Sequence, residues 1–397
     1  MKFNKWTLGL AAVGAVSLAS AVRADEAPKL VPLNTALSNT TISGYVDVGA
    51  QYNMGDYGPG AGQPAGTAGN YGFGNKVDNF TLNSVDVTFD KPEDESPWAS
   101  GYHIDFNAGT DAVGLSLNGP QGASASGTAA VAIRQAYIVL RTPVGNGIDW
   151  KVGVMDDVIG YEGNTDSANP NYTRSVGYFI EPTTLLGLIG SYKITDAVTV
   201  QGGVADATTF GLNNSSDKTI VAAVAFTAPD SFGWAKGASL NLGALLNVEP
   251  GGQYNYYAGV TIPTPMSALK VGASFDLVSD NNQSASNPHN DSGFVIGMYS
   301  SFQATDKLSF NVRGEYFDLT GGTTLYTPAN YLDPLTDGRG EEITATIQYN
   351  LWANVTSRVE FRWDHADSGA AFGNSYTGTS FPNGDSFLLA ANLIYTF

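Results

Sequence analysis

Polar and apolar side chains alternate with a period of two along most of this chain. In the segment 354–364, Phe361 and Trp363 fall on one face while Arg358 and Arg362 fall on the other. A helix would scatter these charges around its circumference, whereas a β-strand separates them onto two faces. Further segments alternate in the same way: 148–154, 308–316 and 342–351. The pattern predicts strands with one apolar face and one face that tolerates water.

Such segments recur along the whole chain, and their connections alternate in length. The predicted strands begin near residues 41, 77, 100, 130, 147, 184, 197, 218, 237, 252, 268, 291, 306, 340, 353 and 385. The connections after odd-numbered strands are long and rich in Gly, Asn, Ser and Asp, apart from a short one at 248–251: 54–76, 110–129, 156–183, 207–217, 280–290, 319–339 and 367–384. The connections after even-numbered strands are mostly tight, as at 142–146. A soluble sandwich has no reason to collect its long loops at one end.

A transmembrane barrel accounts for this asymmetry. Outer-membrane barrels have an even number of strands, short turns on the periplasmic side and long loops outside. Because lipid admits no unpaired sheet edge, the sheet must close on itself. We therefore predict an all-β fold over residues 41–397, a transmembrane antiparallel up-and-down β-barrel of about 16 strands (range 14–18). The alternative is a soluble β protein, which would show no heat-modifiable migration on a denaturing gel.

The amino-terminal segment has the order of regions found in a secretory signal peptide. Lys2 and Lys5 precede an apolar run at 8–19, and small residues follow it. This run is short for a membrane anchor, which needs about 20 apolar residues. We predict a signal peptide at 1–24, a short periplasmic segment at 25–40 and a location in the bacterial outer membrane.

Composition narrows the classes of partner. Asp and Glu total 37 against 19 Lys and Arg, so the formal net charge is −18, which argues against nucleic acid as a partner. The chain has no cysteine, which excludes thiolate catalysis and zinc sites built on sulfur. No cofactor is predicted.

Catalysis and metal binding have little support in the sequence. The histidines are His103, His289 and His365. No nucleophile elbow, metalloprotease helix or paired-carboxylate motif accompanies them, so we predict that the protein is not an enzyme. The stretch 280–282 and the pair Asp364 and Asp367 offer at most weak calcium binding, because neither has the full EF-hand spacing. No metal site is assigned.

The last predicted strand carries a specific local signal. One face of this strand carries apolar residues at two-residue steps up to the end of the sequence: Phe387, Leu389, Ala391, Leu393, Tyr395 and Phe397. A terminal Phe preceded by apolar residues in this spacing resembles the signal by which the barrel-insertion machinery recognises outer-membrane barrels. We therefore expect that machinery to be a partner through Phe397, besides the outer-membrane lipid itself.

A stretch of about 70 residues, 133–201, carries a family resemblance. Its pieces are an Arg-Gln-Ala-Tyr strand at 134–141, a Gly-Asn-Gly turn and strand at 144–153, and short motifs at 159–162, 169–175 and 181–184. In their order and spacing these pieces resemble the OmpL-like β-barrel porin family. The resemblance implies an outer-membrane porin fold, and it says less about the solute.

The longest connection, 156–183, is a candidate constriction loop. It carries several acids and a single basic residue: Asp156, Asp157, Glu162, Asp166 and Glu181 against Arg174. The polar faces of two late strands carry Arg313, Arg358 and Arg362. If the loop folds inward, acids facing arginines across the lumen would create a transverse field that orients polar solutes. The alternative is structural: Asp156 and Asp157 end a strand, and Arg174 pairs with Glu162 or Glu181 to hold the loop.

These features favour a porin. We predict a water-filled channel for passive diffusion of small hydrophilic solutes and ions, with a weak preference for cations that follows from the acidic loop. This prediction assumes that the inward faces are polar throughout. The alternatives are a solute-selective channel with saturable flux, a non-conducting structural or adhesive barrel, and an outer-membrane enzyme. A homotrimer is expected only by analogy with sixteen-stranded general porins.

Overall fold

The computed structural model describes residues 39–54, 76, 79–113, 130–206, 218–248, 252–280, 292–319, 339–367 and 385–397. It contains the strands β1 (Thr41–Asn53), β2 (Phe80–Lys91), β3 (Ser100–Gly109), β4 (Ala130–Thr142), β5 (Ile148–Asp156), β6 (Thr184–Lys193), β7 (Val198–Ala205), β8 (Thr219–Thr227), β9 (Ser239–Asn247), β10 (Gln253–Pro263), β11 (Leu269–Asp280), β12 (Ser292–Gln303), β13 (Leu308–Asp318), β14 (Arg339–Trp352), β15 (Val355–Ala366) and β16 (Asp385–Thr396). The predicted signal peptide at 1–24 and nearly all of the segment 25–40 lie outside the described residues.

The strands form one closed barrel. Each strand pairs antiparallel with its neighbours in sequence, and β1 pairs with β16. The predicted fold class is therefore confirmed, with sixteen strands inside the predicted range. Predicted strand starts differ from the observed ones by at most three residues, the largest difference being 77 against Phe80. Among the described residues, no helix is long and apolar enough to cross a membrane.

The two faces of the late strands differ as the alternation predicts. On β14 and β15, Ile347 and Val359 are exposed on the outside, whereas Glu342 and Arg362 are fully buried on the inside. A side chain that faces lipid gains from being apolar, because a basic group there costs about 2–4 kcal/mol at the bilayer midplane. The strand sequence therefore fixes which face points into the barrel.

The barrel closes at a close-packed seam. Tyr45 of β1 pairs with Thr396 of β16. Just beyond, Gly44 N–H donates to the Phe397 carbonyl at 3.1 Å, and Phe397 N–H donates to the Gly44 carbonyl at 3.0 Å. A Cβ on Gly44 would collide with the Asp86 carbonyl oxygen and the Phe397 ring. Glycine is therefore required where the start of β1 meets the end of β16.

Tight turns lie at the end of the barrel where Gly44 and Phe397 meet, and this end is called the tight-turn end. The opposite end is called the long-loop end. The turn between β4 and β5 uses Gly145 and Gly147, with φ of 59° and 94°. Backbone with positive φ favours glycine. Arg141 closes the turn by donating to the Asn146 carbonyl at 2.8 Å and to Asp149 at 2.7 Å.

Candidate functional site

The connection between β5 and β6 folds into the barrel. This inward loop (residues 157–183) reaches β13 and β14, which lie eight places from β5 and β6 in the closed strand order and hence on the opposite wall. Asn171 Nδ2 donates to Thr346 Oγ1 at 2.7 Å, and Asn311 Nδ2 donates to the Pro170 carbonyl at 3.1 Å. The inward loop therefore crosses the lumen and divides it.

Arg313 of β13 fastens the loop to the far wall. Its guanidinium donates to Glu162 at 2.6 Å and to the Thr173 carbonyl at 2.8 Å, both in the inward loop. On the wall it donates to Glu342 at 3.1 Å. Arg313, Glu162 and Glu342 are fully buried as an ion cluster. Such a cluster tolerates burial only because each charge has a partner.

Two wall glutamates receive backbone N–H groups from the inward loop. Glu360 accepts from Tyr172 N–H at 2.5 Å and from Thr173 N–H at 2.8 Å. Glu315 accepts from Val176 N–H at 2.7 Å and from Gly177 N–H at 3.1 Å. Val176 opens a short helix, α1 (Val176–Ile180). Bonds from N–H groups to a carboxylate are stronger than neutral ones, so these acids hold the loop backbone.

The other two predicted arginines also bind the loop. Arg362 donates to the Arg174 carbonyl at 2.6 Å and pairs with Asp364 at 2.8 Å. Arg358 donates to the Asp166 carbonyl at 3.1 Å. Both guanidinium side chains are buried.

Arg174 and Asp166 pair within the loop itself. Arg174 Nη2 donates to Asp166 at 2.6 Å, and the guanidinium carbon lies 5.5 Å from the centre of the Tyr178 ring. From the sequence we expected Arg174 to pair with Glu162 or Glu181. Both predictions are wrong, because its ion-pair partner is Asp166. Arg174 still serves the structural role expected of it, because the pair ties together the two ends of a loop segment.

The expected transverse field needs correction. Acids and arginines were expected to face each other across open lumen, but Glu162 touches Arg313 directly and the loop backbone lies on Arg358 and Arg362. No water-filled gap separates these groups. Their charges therefore cancel at the wall over a short distance instead of acting across a pore.

The other side of the inward loop packs on apolar wall. Val158, Ile159 and Tyr161 join a buried cluster with inward-facing residues of β6 to β12: Leu185, Ile189, Ala205, Val221, Ala223, Leu245, Tyr257 and Tyr299. Tyr161 stacks on Tyr299 with ring centroids 3.8 Å apart. The expectation of polar inward faces throughout is therefore wrong for these positions, where the loop packs as a hydrophobic core. Polar groups remain on the same wall, since Asn255 donates to the Ile180 carbonyl at 2.9 Å and Thr261 donates to the Tyr161 hydroxyl at 3.1 Å.

Two acids of the loop are buried without a basic partner within ion-pair distance in the described residues. Burial raises the pKa of Glu181 well above its usual value, and the charge of neighbouring Asp276 and a hydrogen bond to it raise it further. Burial also raises the pKa of Asp157, with further contributions from the charges of Asp156 and Asp276. Burial therefore disfavours the charged form of both carboxyls.

A cavity of about 400 Å³, lined by both polar and apolar side chains, lies between the inward loop and the wall of β1 to β7, toward the tight-turn end. Asp156 and Asp157, two of the nine predicted site residues, line it together with Lys151, Arg134 and His103. Arg134 pairs with Asp156 at 2.8 Å. The cavity therefore presents both signs of charge to water inside the barrel.

Lys151 is the most accessible cation of the cavity lining, and it was not among the site residues predicted from the sequence. Its ammonium lies 4.7 Å from the centre of the Tyr137 ring, which stacks on His103 at 5.0 Å. No carboxylate of the described residues lies within ion-pair distance of it. In the alternation at 148–154, Lys151 falls on the face opposite the apolar residues. This pattern predicts that Lys151 faces inward, and it is visible in the sequence.

The weak calcium hypotheses are not supported. Asp364 faces the lumen and pairs with Arg362, whereas the Asp367 carboxylate lies 3.8 Å from His365 Nε2 on the outer side of the barrel. The two acids cannot share an ion, so the pair is wrong as a site. Most of the stretch 280–282 lies outside the described residues, as does His289.

Comparison with known proteins gives a family and a fold. The family model described as "Putative beta-barrel porin-2, OmpL-like" matches residues 39–397. No protein of curated function matches the sequence. Solved structures share the fold: the outer membrane channel DcaP of Acinetobacter baumannii has a TM-score of 0.60 at 10% identity, covering 93% of this chain and 100% of that one.

Two further structures are similar to the same extent. The trimer form of OmpT, an outer membrane protein of Vibrio cholerae, has a TM-score of 0.57 at 11% identity, covering 90% of this chain and 99% of that one. An anion-selective porin from Comamonas acidovorans has a TM-score of 0.55 at 11% identity, with the same coverage of 90% and 99%. At such low identity these likenesses concern the fold alone.

Proposed function

Because the chain belongs to the OmpL-like family of β-barrel porins, we propose that it passes small hydrophilic solutes and ions through the outer membrane by passive diffusion. The observation that carries this proposal is the cavity between the inward loop and the wall of β1 to β7, which charged side chains line. Beside β8 to β12 the inward loop packs against apolar side chains. In this proposal, solutes therefore pass on the cavity side of the loop.

The inward loop sets the width of this path, and the nine predicted site residues divide into two roles. Asp156 and Asp157 face the path. The remaining seven hold the loop in place: Glu162, Asp166, Arg174, Glu181, Arg313, Arg358 and Arg362. The constriction in this proposal is an edge of the loop, and its charge selectivity comes from the wall beside it.

A weak cation preference follows from the charge balance of that wall. Asp156 is partly exposed, and it pairs with Arg134. Lys151 opposes it, and Asp157 favours the neutral form. Acids outnumber bases in the whole chain, 37 to 19, which raises the concentration of cations at the mouths of the channel. The preference is therefore small and depends on ionic strength.

Planar-bilayer recording of the refolded mature chain tests the proposal. We expect stepwise openings and a reversal potential in a salt gradient that slightly favours cations. Lys151→Gln should shift the reversal potential further toward cations, and Asp156→Asn should shift it toward anions, since each removes one charge from the path. Asp230→Asn serves as the matched control, because Asp230 is exposed in the turn between β8 and β9.

The outcomes separate the alternatives. A correctly inserted barrel that never conducts would support a structural or adhesive role instead. Saturable solute flux in liposomes would indicate a solute-selective channel, for which the mixed charges around Lys151 and Asp156 give a reason. Equal shifts from Asp230→Asn and Asp156→Asn would show that the path does not pass the cavity.

The proposal includes the surroundings of the channel. We expect no enzymatic activity, in keeping with the porin family to which the chain belongs. A homotrimer fits the trimer form described for OmpT of Vibrio cholerae, and chemical cross-linking in detergent tests it. Recognition by the insertion machinery through Phe397 is testable by Phe397→Ala, which should reduce assembly in the outer membrane without changing the pore.

A further inference from the structure

Four polar side chains lie together on the outer face of the barrel at its long-loop end. Glu341 of β14 pairs in register with His365 of β15, which pairs with Asp385 of β16, and Asp367 follows β15. Directly opposed residues of antiparallel strands point to the same face. The residues that alternate with them face the lumen and are buried: Glu342, Asp364 and Ser386. The cluster therefore points outward.

The cluster has the geometry of a metal site. One ligand atom each from Glu341, His365 and Asp367 lie within 4.8 Å of one another. His365 Nε2 and Asp367 Oδ1 are 3.8 Å apart. Two ligands that each bind Zn²⁺ at about 2.1 Å are separated by at most about 4.2 Å. The His365 and Asp367 atoms already lie within that distance, and the Glu341 oxygen lies within 4.8 Å of both.

A separate set of contacts orients the imidazole for binding. His365 Nδ1 lies 2.9 Å from Asp385 Oδ1, which also accepts from Trp363 Nε1 at 2.9 Å. The Trp363 ring stacks on the imidazole with centroids 5.8 Å apart. A histidine that binds metal through one nitrogen characteristically donates its other N–H to a carboxylate. Asp385 supplies that carboxylate and leaves Nε2 directed at Asp367.

The surroundings of the cluster favour a bound cation. One step toward the membrane on the same outer face lie Ile343, Trp363 and Phe387, an apolar and aromatic band of the kind that marks the lipid interface. Neither Glu341 nor Asp367 has a Lys or Arg within ion-pair distance in the described part of the chain. Carboxylates at that depth repel one another and anionic headgroups, and a divalent ion removes this repulsion.

We propose that Glu341, His365 and Asp367 bind a divalent transition-metal ion, Zn²⁺, with Asp385 holding the imidazole in place. An imidazole with two carboxylates suits Zn²⁺, whereas Ca²⁺ and Mg²⁺ take oxygen ligands. Three protein ligands leave one coordination position open toward the outside. The bound ion joins the ends of β14 and β15 at the long-loop rim and does not touch the channel.

Metal titration of the purified full-length mature chain in detergent tests the proposal. We expect one Zn²⁺ per chain by calorimetry and by metal analysis after dialysis. His365→Ala and Asp367→Asn should each weaken binding by at least about tenfold, and Asp385→Asn by about 10–100-fold, as is usual for a carboxylate that orients a ligand. His103→Ala is the matched control, because His103 lies in the lumen beside Asp90, and it should bind as the parent chain does.

Trp363 gives a second readout that a general loss of structure would not imitate. Cu²⁺ at the site should quench the fluorescence of the adjacent indole, and Trp363→Phe should remove that quenching while metal analysis still finds the bound ion. Heat-modifiable migration on a gel confirms that each variant is folded. Absence of stoichiometric Zn²⁺, equal affinity in the His365 and His103 variants, or tighter binding of Ca²⁺ than of Zn²⁺ would each overturn the assignment.

Discussion

The two sides of the inward loop contact the barrel wall through different kinds of interaction. Toward β13 to β15 the loop is held by ions and hydrogen bonds around Arg313. Toward β6 to β12 it is held mainly by apolar packing around Ile159 and Leu245. Charged contacts have strict partners and directions, so they fix the position of the loop, whereas apolar contacts exclude water from the space that they occupy. One side specifies where the loop lies, and the other closes the space beside it.

The largest effect is expected from Arg313→Met. It leaves Glu162 buried without its cation and Glu342 with only Arg362, at 3.8 Å. Breaking a buried pair on one side costs about 3–5 kcal/mol of unfolding free energy. The loop should leave the far wall, and single-channel conductance should rise. Urea unfolding in detergent and bilayer recording measure the two effects.

Arg339→Met is the matched control for that variant. Arg339 pairs with Asp318 at 2.9 Å, but its side chain is 54% exposed. An exposed ion pair contributes at most about 1 kcal/mol. If both arginine variants lose the same stability, the ion cluster under the loop is not what fixes its position.

Ile159→Ala tests the apolar side. Truncating a buried isoleucine costs about 2–5 kcal/mol, depending on how far the cavity collapses. The ion cluster around Arg313 remains, so we expect conductance to change less than in Arg313→Met at a similar loss of stability. Ile194→Ala, in the exposed turn after β6, should cost little. A conductance increase as large as that of Arg313→Met would mean that apolar packing also positions the loop.

The smallest effect is expected from Glu181→Gln, and it appears as a pH dependence. The folded-state pKa of Glu181 is raised by burial and by Asp276. Its contribution to the free energy of unfolding is therefore fully present below the pKa of the unfolded carboxyl. This contribution is lost as the pH rises through the folded-state pKa. Glutamine stays neutral, so stability of the variant should fall less in alkaline buffer.

Urea unfolding across a pH series measures this difference. Glu95→Gln, in the exposed turn between β2 and β3, should follow the parent curve. A Glu181→Gln curve that coincides with the parent curve at every pH would contradict the protonated state of Glu181 in the folded loop.

The sequence predicts the barrel well because the late strands have two chemically different faces. Arg358, Glu360 and Arg362 alternate with apolar residues, and only a strand separates them. The same rule failed to show the apolar packing on part of the inner wall. Segments such as 184–193 and 219–227 are apolar on both faces. This pattern indicates that the inward face of these strands packs against protein and does not line a water-filled channel.

The candidate site was predictable in kind but not in arrangement. An acidic loop and inward-facing arginines are visible in the sequence, yet Glu162 and Arg313 are distant along the chain, and only the folded loop shows that they touch. The partner of Arg174 was missed because Asp166 and Glu181 lie at similar spacing from it, eight residues before it and seven after it. Local spacing alone does not rank such partners.

The closing of β1 against β16 also bears on how the barrel forms. Every other strand pair joins neighbours in sequence, whereas this pair joins Tyr45 to Thr396. Local hairpins form early, and contacts between distant residues form late because of the chain entropy lost on closing a long loop. Until that last pairing, two strand edges carry unsatisfied N–H and carbonyl groups that lipid cannot solvate. An assembly intermediate must therefore keep these edges covered, and release from its helper should coincide with the joining of the first and last strands.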